Sequence, residues 1–92
     1  MAIQSASEFE AVLNNVRMKI DRAVSERGST PVLETATRDV QRLFAVARQG
    51  TKLKQLRNLM ETVTETLTRE IPNDNVLLEQ LWDLSDFIDY SA

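Results

Sequence analysis

Apolar residues recur at helical spacing over most of the chain. The clearest case is the stretch 51–71, which lies between Gly50 and Pro72. Its apolar positions form one narrow stripe: Leu53, Leu56, Leu59, Met60, Val63, Leu67 and Ile71. A stripe of this period is typical of an amphipathic α-helix, so we predict a helix over roughly 52–71.

A similar stripe precedes Gly28. It consists of Phe9, Val12, Leu13, Val16, Ile20, Ala23 and Val24. Ser7 followed by Glu10 reads as a capping box at the helix start, and glycine commonly ends helices because it tolerates the left-handed backbone. We therefore predict a helix over 8–27, with residues 1–6 as a mobile lead-in.

Two further helices follow from cap signals and inward stripes. Thr30 offers an N-cap and Pro31 suits the first helical position, which predicts a helix over 31–48. Its predicted inward residues are Val32, Leu33, Ala36, Val40, Leu43, Phe44 and Ala47. The turn chemistry of residues 73–75 predicts a last helix over 75–90. The residues that it should bury are Leu77, Leu81, Leu84 and Ile88.

The connection at Gly50 decides the architecture. With an advance of ~100° per residue, the apolar face after Gly50 lies roughly 160° from the face before it, which favours a turn over one continuous helix. We predict a single all-α domain over 1–92, an antiparallel up-down-up-down four-helix bundle. The alternatives are a long helix over 31–71 shared between two subunits, and a three-helix core with the first helix packed loosely or swapped between subunits.

Composition excludes several functions. The 92 residues include no cysteine and no histidine, which removes thiolate nucleophiles, imidazole catalysis, disulfides and zinc sites of the Cys/His kind. The carboxylate pairs Glu61/Glu65 and Asp83/Asp86 fall on outward faces rather than converging on a sheltered pocket. We expect no enzymatic activity, no cofactor and no bound metal. Without an apolar run of membrane-spanning length, the expected protein is soluble and cytoplasmic.

Charge is distributed unevenly along the chain. Positions 38–57 hold six basic residues and one acidic residue, whereas the chain from position 74 onward holds five acidic residues and no basic one. The basic cluster around Gly50 suggests, as an alternative function, an anion or nucleic-acid binder: Arg48, Lys52, Lys54 and Arg57. The acidic overall charge and the absence of interleaved aromatics disfavour nucleic acid. We favour pairing of the third helix start with the end of the last helix, at Asp83, Asp86 and Asp89.

The last helix carries an unusually wide apolar arc, since Leu78 and Trp82 extend it on one edge. The acidic side chains around this edge are Glu79, Asp86 and Asp89. An apolar edge with a charged rim is typical of protein interfaces. We therefore predict a protein–protein interaction or regulatory module that docks here, with a structural homodimer through the same edge as an alternative. The other interpretation of Trp82 is that it folds over the bundle edge and closes it.

Overall fold

The computed structural model describes residues 3–49 and 56–90. Within these ranges the chain forms four α-helices and no strand: α1 (Ala6–Arg27), α2 (Pro31–Gln49), α3 (Arg57–Glu70) and α4 (Asn75–Tyr90). The predicted all-α four-helix fold is confirmed.

Helix α1 begins two residues earlier than predicted. Ser5 is its N-cap, and the Ser5 Oγ accepts a hydrogen bond of 3.2 Å from the Glu8 backbone N–H. The Glu8 carboxylate in turn accepts a hydrogen bond of 2.9 Å from the Gln4 backbone N–H. Ser7 lies inside the helix, so the predicted Ser7/Glu10 capping box is wrong.

The boundary between α1 and α2 follows the predicted signals. Gly28 adopts a φ of 85°, and its N–H closes α1 by donating to the Val24 carbonyl at 2.8 Å. Thr30 then caps α2, because its hydroxyl oxygen accepts a hydrogen bond of 3.2 Å from the Leu33 N–H. Pro31 occupies the first helical position, where its missing N–H breaks no helical hydrogen bond.

Helix α3 ends one residue before the predicted limit. Ile71 is the C-cap, and its N–H donates to the Leu67 carbonyl at 2.8 Å. Pro72 follows directly and disfavours helical backbone at Ile71. The predicted start of this helix at 52 and the predicted turn at Gly50 lie outside the described residues.

The four helices contact one another in cyclic order: α1 with α2, α2 with α3, α3 with α4 and α4 with α1. The starts of α1 and α3 lie beside the ends of other helices. Glu10 pairs with Arg48, Arg57 pairs with Asp89, and the ring of Phe9 lies 5.3 Å from the Phe87 ring, centroid to centroid. These are the contacts that an up-down-up-down order makes. Because α2 packs against α3, the alternative of one continuous helix does not form.

All four helices supply side chains to one apolar core. The fully buried contribution of α1 includes Phe9, Leu13, Val16 and Ile20, so the alternative of a loosely packed first helix is wrong. Every predicted inward residue of α4 is buried: Leu77, Leu81, Leu84 and Ile88. On α2 the prediction fails at Val32, whose side chain is 44% exposed at the first turn of the helix, beyond the packed part of the stripe.

Candidate functional site

An open groove of about 400 Å³ lies between α3 and α4. Its α3 side is lined by Arg57, Met60, Glu61, Thr64 and Glu65, and its α4 side by Trp82, Ser85, Asp86 and Asp89. On each helix the lining recurs every three or four positions, at 57, 60/61 and 64/65 on α3 and at 82, 85/86 and 89 on α4, which places it along one face. The groove therefore follows the seam between two packed helices.

Trp82 is the principal apolar group of this groove. Its side chain is 70% exposed, although its helix neighbours Leu81 and Leu84 are fully buried. Trp82 therefore does not close the edge of the bundle. Among the described residues four large apolar side chains are exposed, and Trp82 is the one that lines this groove. Such an exposed indole is suited to bury area against another molecule.

The floor of the groove is formed by buried and half-buried side chains of both helices. Met60 is buried, while Thr64 and Ser85 are half-buried. The Thr64 hydroxyl donates to the Met60 backbone carbonyl at 2.8 Å, so it does not require a partner from outside. Small floor side chains allow close approach of another chain.

Both sides of the groove are acidic. The lining carries four carboxylates, Glu61, Glu65, Asp86 and Asp89, and one guanidinium, Arg57, which gives a net formal charge of −3. The Arg57 Nε lies 3.3 Å from the Asp89 Oδ1, with both side chains at least half exposed. The other three carboxylates form no ion pair or hydrogen bond with any residue in the ranges 3–49 and 56–90.

The structure brings together only part of the predicted docking surface. Trp82, Asp86 and Asp89 line the groove, whereas the half-buried Leu78 and the exposed Glu79 lie outside its lining. The neighbours of Trp82 in the groove come instead from α3, and they include the acidic pair Glu61/Glu65. The helical period of α3 places Glu61 and Glu65 on an outward face, as predicted. The period does not show that this face borders α4.

Two residues of the predicted basic cluster, Arg48 and Arg57, lie in the described part of the chain, and each forms its own ion pair. The Arg48 Nε lies 3.3 Å from the Glu10 Oε1, and Arg57 pairs with Asp89 as above. The expectation that the start of the third helix pairs with the end of the last one is therefore confirmed for Arg57. Lys52 and Lys54 lie outside the described residues. Since both described arginines already face carboxylates, the geometry does not favour an anion site.

An ion pair at the opposite end of the bundle holds the start of α4. The Lys19 Nζ donates to the Asp74 Oδ2 at 2.6 Å, and the Leu77 backbone N–H donates to the Asp74 Oδ1 at 2.9 Å. The hydrogen bond from Lys19 and then that from Leu77 keep the pKa of Asp74 below its ordinary value. Asp74 is thus the N-cap that ties α4 to α1, and α4 carries Trp82.

Comparisons with known proteins do not assign the chain to a family. No protein-family model matches it, and neither the curated proteins nor the solved structures give a match. Within the described part of the chain, no group of three or more acidic side chains is placed to hold a metal ion. None of the helices there has the length and apolar character that crossing a membrane requires.

Proposed function

We propose that this protein is a small non-catalytic helical interaction module. It binds a partner protein through Trp82 and the acidic sides of the α3–α4 groove. The observation that carries the proposal is the 70% exposure of Trp82 inside a concave, charged surface. Tryptophan is enriched among the residues that dominate binding energy at protein interfaces.

The magnitude supports a role for this side chain as an anchor. A tryptophan that becomes fully covered buries roughly 200 Å² of surface, of which about 140 Å² is still exposed here. At ~25 cal/mol per Å², covering it contributes up to about 3–4 kcal/mol. That is enough for one residue to decide whether a small interface forms.

The carboxylates select the partner rather than perform chemistry. Glu61, Glu65, Asp86 and Asp89 are all exposed to solvent, whereas acid–base catalysis relies on groups held in a sheltered pocket. Exposed charges of one sign steer oppositely charged partners and increase association rates. The proposed partner is accordingly a protein with a cationic surface. The proposed module acts in the cytoplasm, which fractionation of cells carrying a tagged chain tests.

Two alanine variants on the same helix test the proposal. Trp82→Ala removes the exposed indole from the groove, and Val76→Ala removes another exposed apolar side chain, 56% exposed, outside the groove lining. Wild type and both variants, checked for helicity by circular dichroism, are used to capture partners from the native lysate. We expect proteins that are lost with Trp82→Ala and retained with Val76→Ala. Equal capture by all three chains would refute a docking role for Trp82.

A further inference from the structure

We infer that the occupant of the α3–α4 groove is a cationic amphipathic helix of a partner protein. The helix lies along α3 and α4 and makes the apolar contact to Trp82. This inference rests on the proposed function and names the chemistry of the partner.

The shape of the groove suits a helix. On α4 the lining runs from Trp82 to Asp89, a separation of seven positions that spans about 10 Å, or two helical turns. The groove is bounded lengthwise by two helices, which is the setting of helix-in-groove recognition. The half-buried Thr64 and Ser85 on the floor leave room for a third helix to approach. An apolar side chain of that helix would cover the Trp82 indole.

The carboxylates of the groove determine the sign of the charge that its occupant carries. Carboxylates lie on both sides of the groove, Glu61 and Glu65 on α3 and Asp86 on α4, without partners among the described residues. Arg57 already shows that an arginine is accommodated at one end, against Asp89. Asp86 lies one turn from Trp82, so a partner cation one turn from the apolar side chain that covers the indole would be within reach of this carboxylate. A polyanion such as nucleic acid would be repelled by the same groups.

A second copy of this chain fits the groove less well. On α2 it offers two cations, since Arg38 and Arg42 are exposed one turn apart. The exposed residues that flank them one turn away, Thr35 and Ala45, are small and provide no large apolar side chain for Trp82. On α1 the exposed Met18 does lie one turn from Arg22, but the exposed Asp21 is equally close to it and Arg22 already pairs with Glu26 at 3.7 Å. Neither face combines a large apolar side chain with positive charge alone, so we favour a foreign helix.

Synthetic peptides test the inference directly. The probe is a capped helical peptide of about 16 residues, long enough to be partly helical alone, with a central leucine and arginines one turn to either side. The matched control carries glutamate at each arginine position. Trp82 is the single tryptophan of the chain, so its emission reports docking without a label. We expect a saturable blue shift with the arginine peptide and no change with the glutamate peptide.

Charge variants locate the contact. We expect Glu61→Gln combined with Asp86→Asn to weaken binding of the arginine peptide by about tenfold, as two exposed ion pairs would. Glu79→Gln removes a charge from α4 outside the groove and should leave binding unchanged. A labelled arginine peptide, followed by anisotropy, extends the measurement to Trp82→Ala, for which we expect at least a tenfold loss.

The outcomes separate the inference from the proposed function. Equal binding of the two peptides, no binding of either at low salt, or unchanged binding by the Glu61/Asp86 variant would overturn the cationic helix. In those cases the lysate experiment with Trp82→Ala still decides the proposed function. Wild-type binding by Trp82→Ala would instead refute the docking role of Trp82. Light scattering without peptide that shows a dimer, lost in Arg38→Glu/Arg42→Glu, would identify a second copy as the occupant and overturn the foreign helix.

Discussion

The pair Lys19–Asp74 gives the most quantitative prediction. Asp74 has two roles, as N-cap of α4 through Leu77 and as ion-pair partner of Lys19, and both side chains are 28% exposed. Asp74→Ala removes both interactions. Asp74→Asn keeps an oxygen that accepts the capping hydrogen bond and removes only the charge. Comparing the two variants separates the cap from the ion pair.

The expected losses follow from the geometry. An N-cap is worth about 1 kcal/mol. The ion pair is short, 2.6 Å, and partly shielded, so we place it near the upper end of the range for surface pairs, about 1 kcal/mol. Asp74→Ala should therefore lower the free energy of unfolding by about 2 kcal/mol, and Asp74→Asn by about 1 kcal/mol. In a chain of this size 1 kcal/mol corresponds to roughly 4–8 °C in melting temperature.

The assay is urea unfolding followed by circular dichroism, with Lys19→Met and the double variant completing a double-mutant cycle. We expect a coupling free energy of about 1 kcal/mol between Lys19 and Asp74. A matched control is Glu26→Gln, since Arg22 and Glu26 form an ion pair at 3.7 Å that is 82% and 67% exposed. The control should change stability by less than about 0.5 kcal/mol.

The ion pair also predicts a pH dependence. Because the pKa of Asp74 is lower in the folded chain than its ordinary value of 3.8, its contribution is present above that value. The contribution is lost as the pH falls through the folded pKa. The stability difference between wild type and Asp74→Asn should shrink accordingly below pH 3.8. A difference that stays constant down to lower pH, or a coupling near zero, would refute the assigned ion pair.

Four other substitutions test further parts of the structure by urea unfolding. Trp82→Ala should cost no more than about 1 kcal/mol, because the side chain is mostly exposed; a loss of 3 kcal/mol or more would mark it as core. Gly28→Ala should cost about 1 kcal/mol from the positive φ alone, since no atom lies within 4 Å of the added carbon; an unchanged stability would contradict that backbone. Gln80→Met should leave the free energy of unfolding unchanged or raise it by up to about 1 kcal/mol, because the Gln80 Oε1 is buried with no hydrogen-bond partner among the described residues. A clear loss of stability would mean that this oxygen has a partner. Glu61→Gln should raise stability by a few tenths of a kcal/mol by reducing repulsion across the groove, and a decrease would argue against that repulsion.

The helices and their buried faces were predictable because period and caps are local properties. Leu77, Leu81, Leu84 and Ile88 share one face whatever the neighbouring helices are, and all four are buried. The sequence left the start of α1 ambiguous, because Ser5 and Ser7 are each followed by glutamate three residues later and either pair could form the cap. The earlier cap lengthens α1 and accompanies packing of Ile3 against the core. That packing is a tertiary contact which local pattern does not contain.

The groove was predictable only in part, because it depends on which helix edges meet. The phase of α4 identified Trp82 as an edge residue but left its exposure open. Leu78, on the same edge, is half-buried and lies outside the groove lining. Glu61 and Glu65 belong to the site through their position beside α4, a relation between two elements far apart in sequence. A pattern along one helix cannot supply that relation.

The carboxylates on the two sides of the groove oppose closer packing of α3 against α4, and in the proposed complex they attract the partner. Glu61 and Asp86 lie on opposite sides, so closer packing of α3 against α4 at this level would bring like charges together. Arg57 relieves this repulsion at one end only, where it pairs with Asp89. A cationic helix in the groove would relieve it along the whole length while covering Trp82. Binding would then stabilise the bundle itself, because a ligand that binds only the folded chain shifts unfolding in proportion to its occupancy. If the proposed complex forms, the melting temperature of the chain should therefore rise with the concentration of the arginine peptide and not with that of the glutamate peptide.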